Sequence, residues 1–152
     1  MYDTYMQDRP ARPPTGLFAL LHAADAAQSH VESKLTTIGL SLPKLAALNV
    51  LREAGGSLPL GQLADRLSCV KSNITQLVDR LEADGLVTRA SDPSDRRSRL
   101  AVTTAAGRKS CEAGLRLQER TERELFGGLT KDQARQLATL LGKVGSVTDR
   151  VS

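Results

Sequence analysis

Aromatic side chains are nearly missing from this chain. It has two Phe, two Tyr and no Trp among 152 residues, so its core must be built mostly from Leu, Val and Ala. Cysteine is as scarce: Cys69 and Cys111 are the only two, too few for a disulfide framework. No apolar run approaches the roughly 18 residues of a membrane span, so no membrane partner is expected. No apolar stretch precedes Pro10, and Asp3 and Asp8 stand there instead, so no export signal is read and a cytoplasmic location is expected. The two histidines, His22 and His30, lie two turns apart on one helix, and no Cys, Asp or Glu is spaced to complete a metal site with them. No Gly-rich phosphate loop, Ser/His/Asp set or pair of catalytic carboxylates stands out. The expectation is a protein with no catalytic site, no metal and no cofactor.

What is present points to a globular chain with 40% hydrophobic residues, long enough for one domain with a sizeable core. Its net charge of +4 and pI of about 9.4 permit nucleic-acid binding without demanding it. The charge is uneven: residues 1–34 carry three basic and four acidic groups, and residues 105–152 carry nine and six. Between Arg89 and Arg99 four arginines face only Asp92 and Asp95. Binding should therefore rest on a few placed cations and not on a generally basic surface.

Residues 1–14, with three prolines and little apolar content, read as a mobile arm. From Thr15 a long helix keeps Leu17, Leu21, Ala24, Val31 and Leu35 at helical spacing until Gly39. Ser41 can cap a second helix, with Pro43 in its first turn and Leu45, Leu48, Val50 and Leu51 making it apolar on much of its circumference. Gly55 and Gly56 end it, and Ser57 to Pro59 read as a short strand that pairs with a later hairpin. Two short helices follow, Leu60–Leu67 and Lys71–Ala83, the second with Ile74, Leu77, Val78 and Leu81 on one face and Gly85 as its stop. Leu86–Ala90 and Arg99–Thr103 read as strands joined by a polar turn over Ser91–Ser98. Thr104 can cap a helix reaching Phe126, and Thr130 with Gln133 has the form of a capping box for a last helix bearing Leu137, Leu140, Leu141 and Val144.

Helix, short turn, helix and β-hairpin form a winged helix-turn-helix, so the fold class is mainly α with a small β-wing. Projected at about 100° per residue, the Lys71–Ala83 helix turns Ser72 and Gln76 away from its apolar stripe. Asn73 and Arg80 flank them on one edge, Thr75 and Asp79 on the other. A hydroxyl, an amide and a cation on one outward face are groups that read base edges and hold phosphates. The candidate DNA-binding residues are Lys71, Ser72, Asn73, Thr75, Gln76 and Arg80 on that helix, with Arg96, Arg97 and Arg99 in the hairpin. Asp92 and Asp95 are expected to support the wing by fixing its turn and orienting its arginines.

The order Leu63–Leu67, Lys71–Val87, Asp92-Pro-Ser-Asp-Arg-Arg97 and Val102–Gly107 resembles the MarR family of bacterial transcription regulators across about Ser41 to Gly107. Two positions depart from the family pattern. Val70 stands where a Ser usually caps the reading helix, which leaves Ser68 as an alternative cap. Thr103-Thr104-Ala105 replaces Leu-Thr-Glu. The resemblance implies a homodimer on a pseudo-palindromic operator, with dimerisation helices over 15–38 and 105–148 around a DNA-binding lobe over 41–104. It also implies a ligand-responsive repressor, an Arg at the position of Arg97 entering the minor groove, and a small organic anion as effector in a crevice that His22 could line. The peroxide-sensing Cys found near the first helix of some members has no counterpart before Cys69. Three other readings stay open at this point. One is a winged-helix module for protein–protein assembly, one a redox-responsive regulator acting through Cys69, and one a small thiol enzyme using Cys69 or Cys111.

Overall fold

A computed structural model describes residues 16–68 and 71–148, with the side chains of Lys71, Ser72, Val147 and Thr148 left aside. The arm expected over 1–14, the helix start at Thr15, Cys69 and the cap position at Val70 lie outside the described residues. The elements run α1 (Gly16–Thr36), α2 (Leu42–Glu53), β1 (Ser57–Pro59), α3 (Leu60–Arg66), α4 (Lys71–Ala83), β2 (Val87–Asp92), β3 (Asp95–Thr103), α5 (Ala105–Phe126) and α6 (Lys131–Thr148).

The helix ends follow local chemistry. Ser41, extended at φ −134°, accepts from the Lys44 N–H at 3.3 Å and starts α2. Thr104 does the same for α5, accepting from the Gly107 N–H at 3.0 Å while its hydroxyl donates to the Gly85 carbonyl at 2.7 Å. Thr130 and Gln133 bond each other reciprocally, the capping box read from the sequence. Helices α1 and α4 stop alike: the N–H of Leu40 returns to the Leu35 carbonyl and that of Leu86 to the Leu81 carbonyl. In each case a glycine with φ +73° sits between, and both leucine pairs are buried. Ser68 has φ +52° and donates its N–H to the Asp65 carbonyl, so it closes α3; an N-cap residue is normally extended.

The sheet is antiparallel in the order β1-β3-β2. Leu58 pairs with Ala101 on one side of β3, and Arg89 pairs with the same Ala101 from the other. The hairpin differs from its sequence reading. The strands run on to Asp92 and from Asp95, so only Pro93 and Ser94 turn the chain, and Arg96 and Arg97 stand on β3 with Arg99 and not in a long loop. Within the hairpin β3 is bulged: Ser91 pairs with Arg99 and Asp92 with Asp95, so β2 holds Asp95 and Arg99 while Arg96, Arg97 and Ser98 stand in the bulge between those two pairs.

The core gathers Leu45, Leu48 and Leu51 of α2, Leu63 of α3, Ile74, Val78 and Leu81 of α4, Val87 of β2 and Ala101 of β3. Leu35 of α1 and Cys111 of α5 close it. Helix α2 is the floor of this core, although its Ala46 is exposed. Burying a Leu side chain contributes about 1.5–3 kcal/mol, so this leucine set supplies most of the drive that fixes α4 and the hairpin. The first half of α5 belongs to the same packing. Gly107 and Gly114 are buried, and a Cβ at Gly114 would come within 2.6 Å of a Leu45 methyl.

Apolar side chains lie open elsewhere. Leu17, Phe18 and Leu21 of α1 are 62%, 66% and 55% exposed. Leu125, Phe126 and Leu129 at the end of α5, and Leu140, Leu141 and Val144 of α6, are exposed as well. The start of α1, the end of α5 with Leu129, and α6 thus each leave apolar side chains uncovered in the single chain.

Candidate nucleic-acid interface

Helix α4 divides as its periodicity requires. Ile74, Leu77, Val78 and Leu81 are buried, and Asn73, Thr75, Gln76, Asp79 and Arg80 are exposed. The backbone of Lys71 and Ser72 forms the first turn of this helix. The outward residues thus stand on a helix whose inner face is buried in the core, which decides the side on which they are presented.

Beside α4, Arg96, Arg97 and Arg99 are exposed on β3. Among the described residues, none of the three enters an ion pair within the protein. The two wing aspartates act on the backbone. Asp92 Oδ1 accepts from the Ser94 N–H at 2.9 Å and the Ser94 hydroxyl at 2.7 Å. The Ser94 hydroxyl, then its N–H, holds the Asp92 carboxyl below its usual pKa. Asp95 Oδ1 accepts from the Arg97 N–H at 2.9 Å. Both carboxylates bond the backbone of the two-residue turn and the start of β3, and among the described residues neither is bonded to the guanidinium of Arg96, Arg97 or Arg99, which they were expected to orient. A groove of about 320 Å³ runs between the two elements, lined by Leu60, Gly61, Ile74, Thr75, Arg97 and Arg99 among others. It places Thr75 of the helix and two wing arginines on one surface.

Arg89 is the residue sequence reasoning passed over, counting it only as one more wing cation. Its guanidinium reaches back to α4, with Nη2 at 2.5 Å from Asp79 Oδ1 and Nη1 at 2.8 Å from Glu82 Oε2. The Asp79 bond raises the Arg89 pKa further, burial pulls the other way, and Glu82 adds to the rise. The signal was available: Asp79 and Glu82 are three apart on one helix edge, ready to share a cation on the following strand. A second brace joins α2 to the end of α4 through Lys44 Nζ and Asp84 Oδ2 at 2.7 Å.

The candidates away from the wing fare differently. His22 is exposed, and the cleft between α1 and α5 is lined instead by Ala23, Ala26, Ala27, His30, Glu124, Leu125 and Phe126. Glu124 there accepts from Lys34 at 2.7 Å and meets His30 Nε2 at 3.2 Å, and Lys34, then His30, keeps its carboxyl below the usual range. Cys111 is buried, and that burial pushes its thiol up, away from the thiolate a nucleophile needs.

Comparison with known proteins agrees with this geometry. The profile of the MarR family matches residues 38–98. An HTH-type transcriptional regulator of Bacillus subtilis, YkoM, is 33% identical over 70% of this chain and 69% of its own. The HTH-type transcriptional repressor IacR of Pseudomonas putida is 34% identical over 74% of this chain and 66% of its own. Among solved structures, a mutant MarR from E. coli complexed with operator DNA superposes with a TM-score of 0.76 at 27% identity. It covers 84% of this chain and 92% of that one. A winged helix-turn-helix with a polar outward face on α4 and three wing arginines that make no ion pair among the described residues, matched by these relatives, identifies the chain as a member of the MarR family of DNA-binding transcription regulators.

Proposed function

We infer that this protein is a homodimeric repressor that holds a pseudo-palindromic operator and releases it when a small organic anion binds. The observation that carries the reading is the shared surface of α4 and β3. A polar helix face anchored by a buried apolar stripe lies next to three arginines that make no ion pair among the described residues. Ser72 and Gln76 read bases, Gln pairing with adenine through both its amide atoms. Lys71, Asn73, Thr75 and Arg80 hold the backbone, and Arg97 enters the narrow minor groove beside each half-site, where negative potential is concentrated. Arg96 and Arg99 contact phosphates. Residues 41–104 act as the DNA lobe, and 15–38 with 105–148 join two copies through the uncovered apolar faces. Two-fold pairing supplies the two half-sites that one helix cannot read alone. Repression is supported by the similarity to the repressor IacR and to repressors of Mycobacterium species. The protein works in the cytoplasm and performs no chemistry of its own; no helix among the described residues is long and apolar enough to cross a membrane.

The effector shifts the equilibrium only by binding one arrangement of the two heads better than the other. For the effector site, the cleft holding His30, Lys34 and Glu124 replaces the solvent-facing His22 as the better-built candidate.

Operator binding by Arg97→Ala across a salt series tests the reading. Two wings lose one cation each, so the salt slope should become shallower by up to about 2 × 0.9. Affinity should fall by about 1–3 kcal/mol per wing, with the melting temperature unchanged. Wild-type slope and affinity would take the wing out of the DNA interface and favour a protein-assembly role.

A further inference from the structure

We propose that Arg89 is a positioning residue for base reading, fixing the roll of α4 against the wing so that the outward helix face and the wing arginines meet DNA together. The proposal rests on the reading of α4 as the base-reading helix. Arg89 stands on β2, in register with Ala101 of β3, the strand that carries Arg97 and Arg99. Its guanidinium bonds three successive levels of one edge of α4: the Thr75 carbonyl at 3.4 Å, Asp79 at 2.5 Å and Glu82 at 2.8 Å. Its side chain is only 22% exposed, against 59% for Asp79 and 44% for Glu82.

A planar fork of fixed geometry can hold several acceptors at once, which a Lys ammonium on a flexible stem cannot do as well. Side chains lie roughly 5–6 Å from a helix axis, so a roll of about 10° would move Gln76 by about 1 Å, enough to spoil a hydrogen bond to a base edge. The apolar stripe of α4 resists being pulled from the core but tolerates small rotations better than directional bonds do. The Arg89 fork supplies the directional constraint. It also keeps Asp79, on the edge of the outward face, turned toward the sheet and away from the phosphates.

The test compares Arg89→Met, Arg89→Lys and Asp79→Asn for binding to the operator and to random duplex, each over a salt series, with melting temperatures recorded. Arg89→Met should lose operator affinity by on the order of a hundredfold, one spoiled base contact worth about tenfold in each of the two protomers, while random-duplex affinity and salt slope stay at wild-type values. Arg89→Lys should fall between, and Arg89→Met with Asp79→Asn should be no worse than Arg89→Met alone, because both break one network. An unchanged ratio of operator to random affinity overturns the proposal, whatever happens to the melting temperature. A salt slope shallower by about 0.9 per protomer also overturns it, since Arg89 would then be a phosphate ligand. Should Arg89→Met not fold, Asp79→Asn at its exposed site carries the same readouts. Gln76→Ala separates the two readings. If it loses discrimination while Arg89→Met keeps it, only the proposal fails; if both keep it, the reading of α4 fails as well.

Discussion

Gly107→Ala should weaken the fold, although Ala is the better helix former by about 1 kcal/mol. Gly107 is in the first turn of α5, where that helix crosses the end of α4. A Cβ there would lie 2.0 Å from the Leu86 carbonyl oxygen and 2.8 Å from Thr103 Cγ2. The obstacle is backbone, and it is held on both sides. The Leu86 N–H is bonded to the Leu81 carbonyl at 2.9 Å, and the Leu86 carbonyl accepts from the Thr104 N–H at 3.1 Å. Relief therefore requires α5 to move, which strains the Thr104 cap on the Gly107 N–H, a contact of about 1 kcal/mol. Overpacking adds about 1–3 kcal/mol. After the propensity gain is subtracted, a net loss of about 1–3 kcal/mol remains, which should lower Tm by about 2–12 °C. Circular-dichroism melts at fixed protomer concentration are the assay, because association makes Tm depend on concentration. Gly61→Ala, with nothing within 4 Å of its added carbon, serves as the control and should not lose stability. A Gly107→Ala protein melting at or above the wild-type temperature would refute the argument that this close approach joins α5 to the DNA lobe.

Thr103→Val should raise stability by about 1 kcal/mol in urea titrations, because Thr103 Oγ1 is buried without a hydrogen-bond partner and Val removes only that atom's desolvation cost; a destabilised variant would mean the hydroxyl is satisfied. Glu124 has a lowered pKa in the folded state, so its contribution is present above the ordinary glutamate pKa and is lost as pH falls through the folded value. The urea midpoint of Glu124→Gln should therefore lie below wild type at neutral pH and converge with it in acid, and a gap independent of pH would contradict the pairing with Lys34 and His30. Deleting 130–152 should yield aggregates or monomers in sedimentation, since it removes the exposed Leu140, Leu141 and Val144; a soluble dimer with wild-type operator affinity would place the interface elsewhere.

Local chemistry along the chain was enough to place most elements and the outward face of α4. Ser41, Thr104 and the Thr130–Gln133 pair cap where their side chains must, and Gly39 and Gly85 stop helices because they accept positive φ. The apolar spacing of Ile74, Leu77, Val78 and Leu81 determined which face of α4 turns outward, because a helix locked on one side has no other way to sit. These signals act within a few residues, so sequence carries them. Tertiary structure decided whatever depends on partners far apart in the chain. Pairing with β2 on both sides of a bulge carried β3 down to Asp95, with Arg96 and Arg97 in the bulge, and packing beneath Leu86 and against Leu45 drew the first half of α5 into the core that α2 and α4 share. The cleft lined by His30 and not by His22 lies between segments far apart in the chain, with Glu124, ninety-four residues from His30, meeting it across α1 and α5. Asp79 and Glu82 were legible as an acidic pair on one helix edge, but only the approach of β2 to α4 showed that the Arg89 guanidinium is the cation they share.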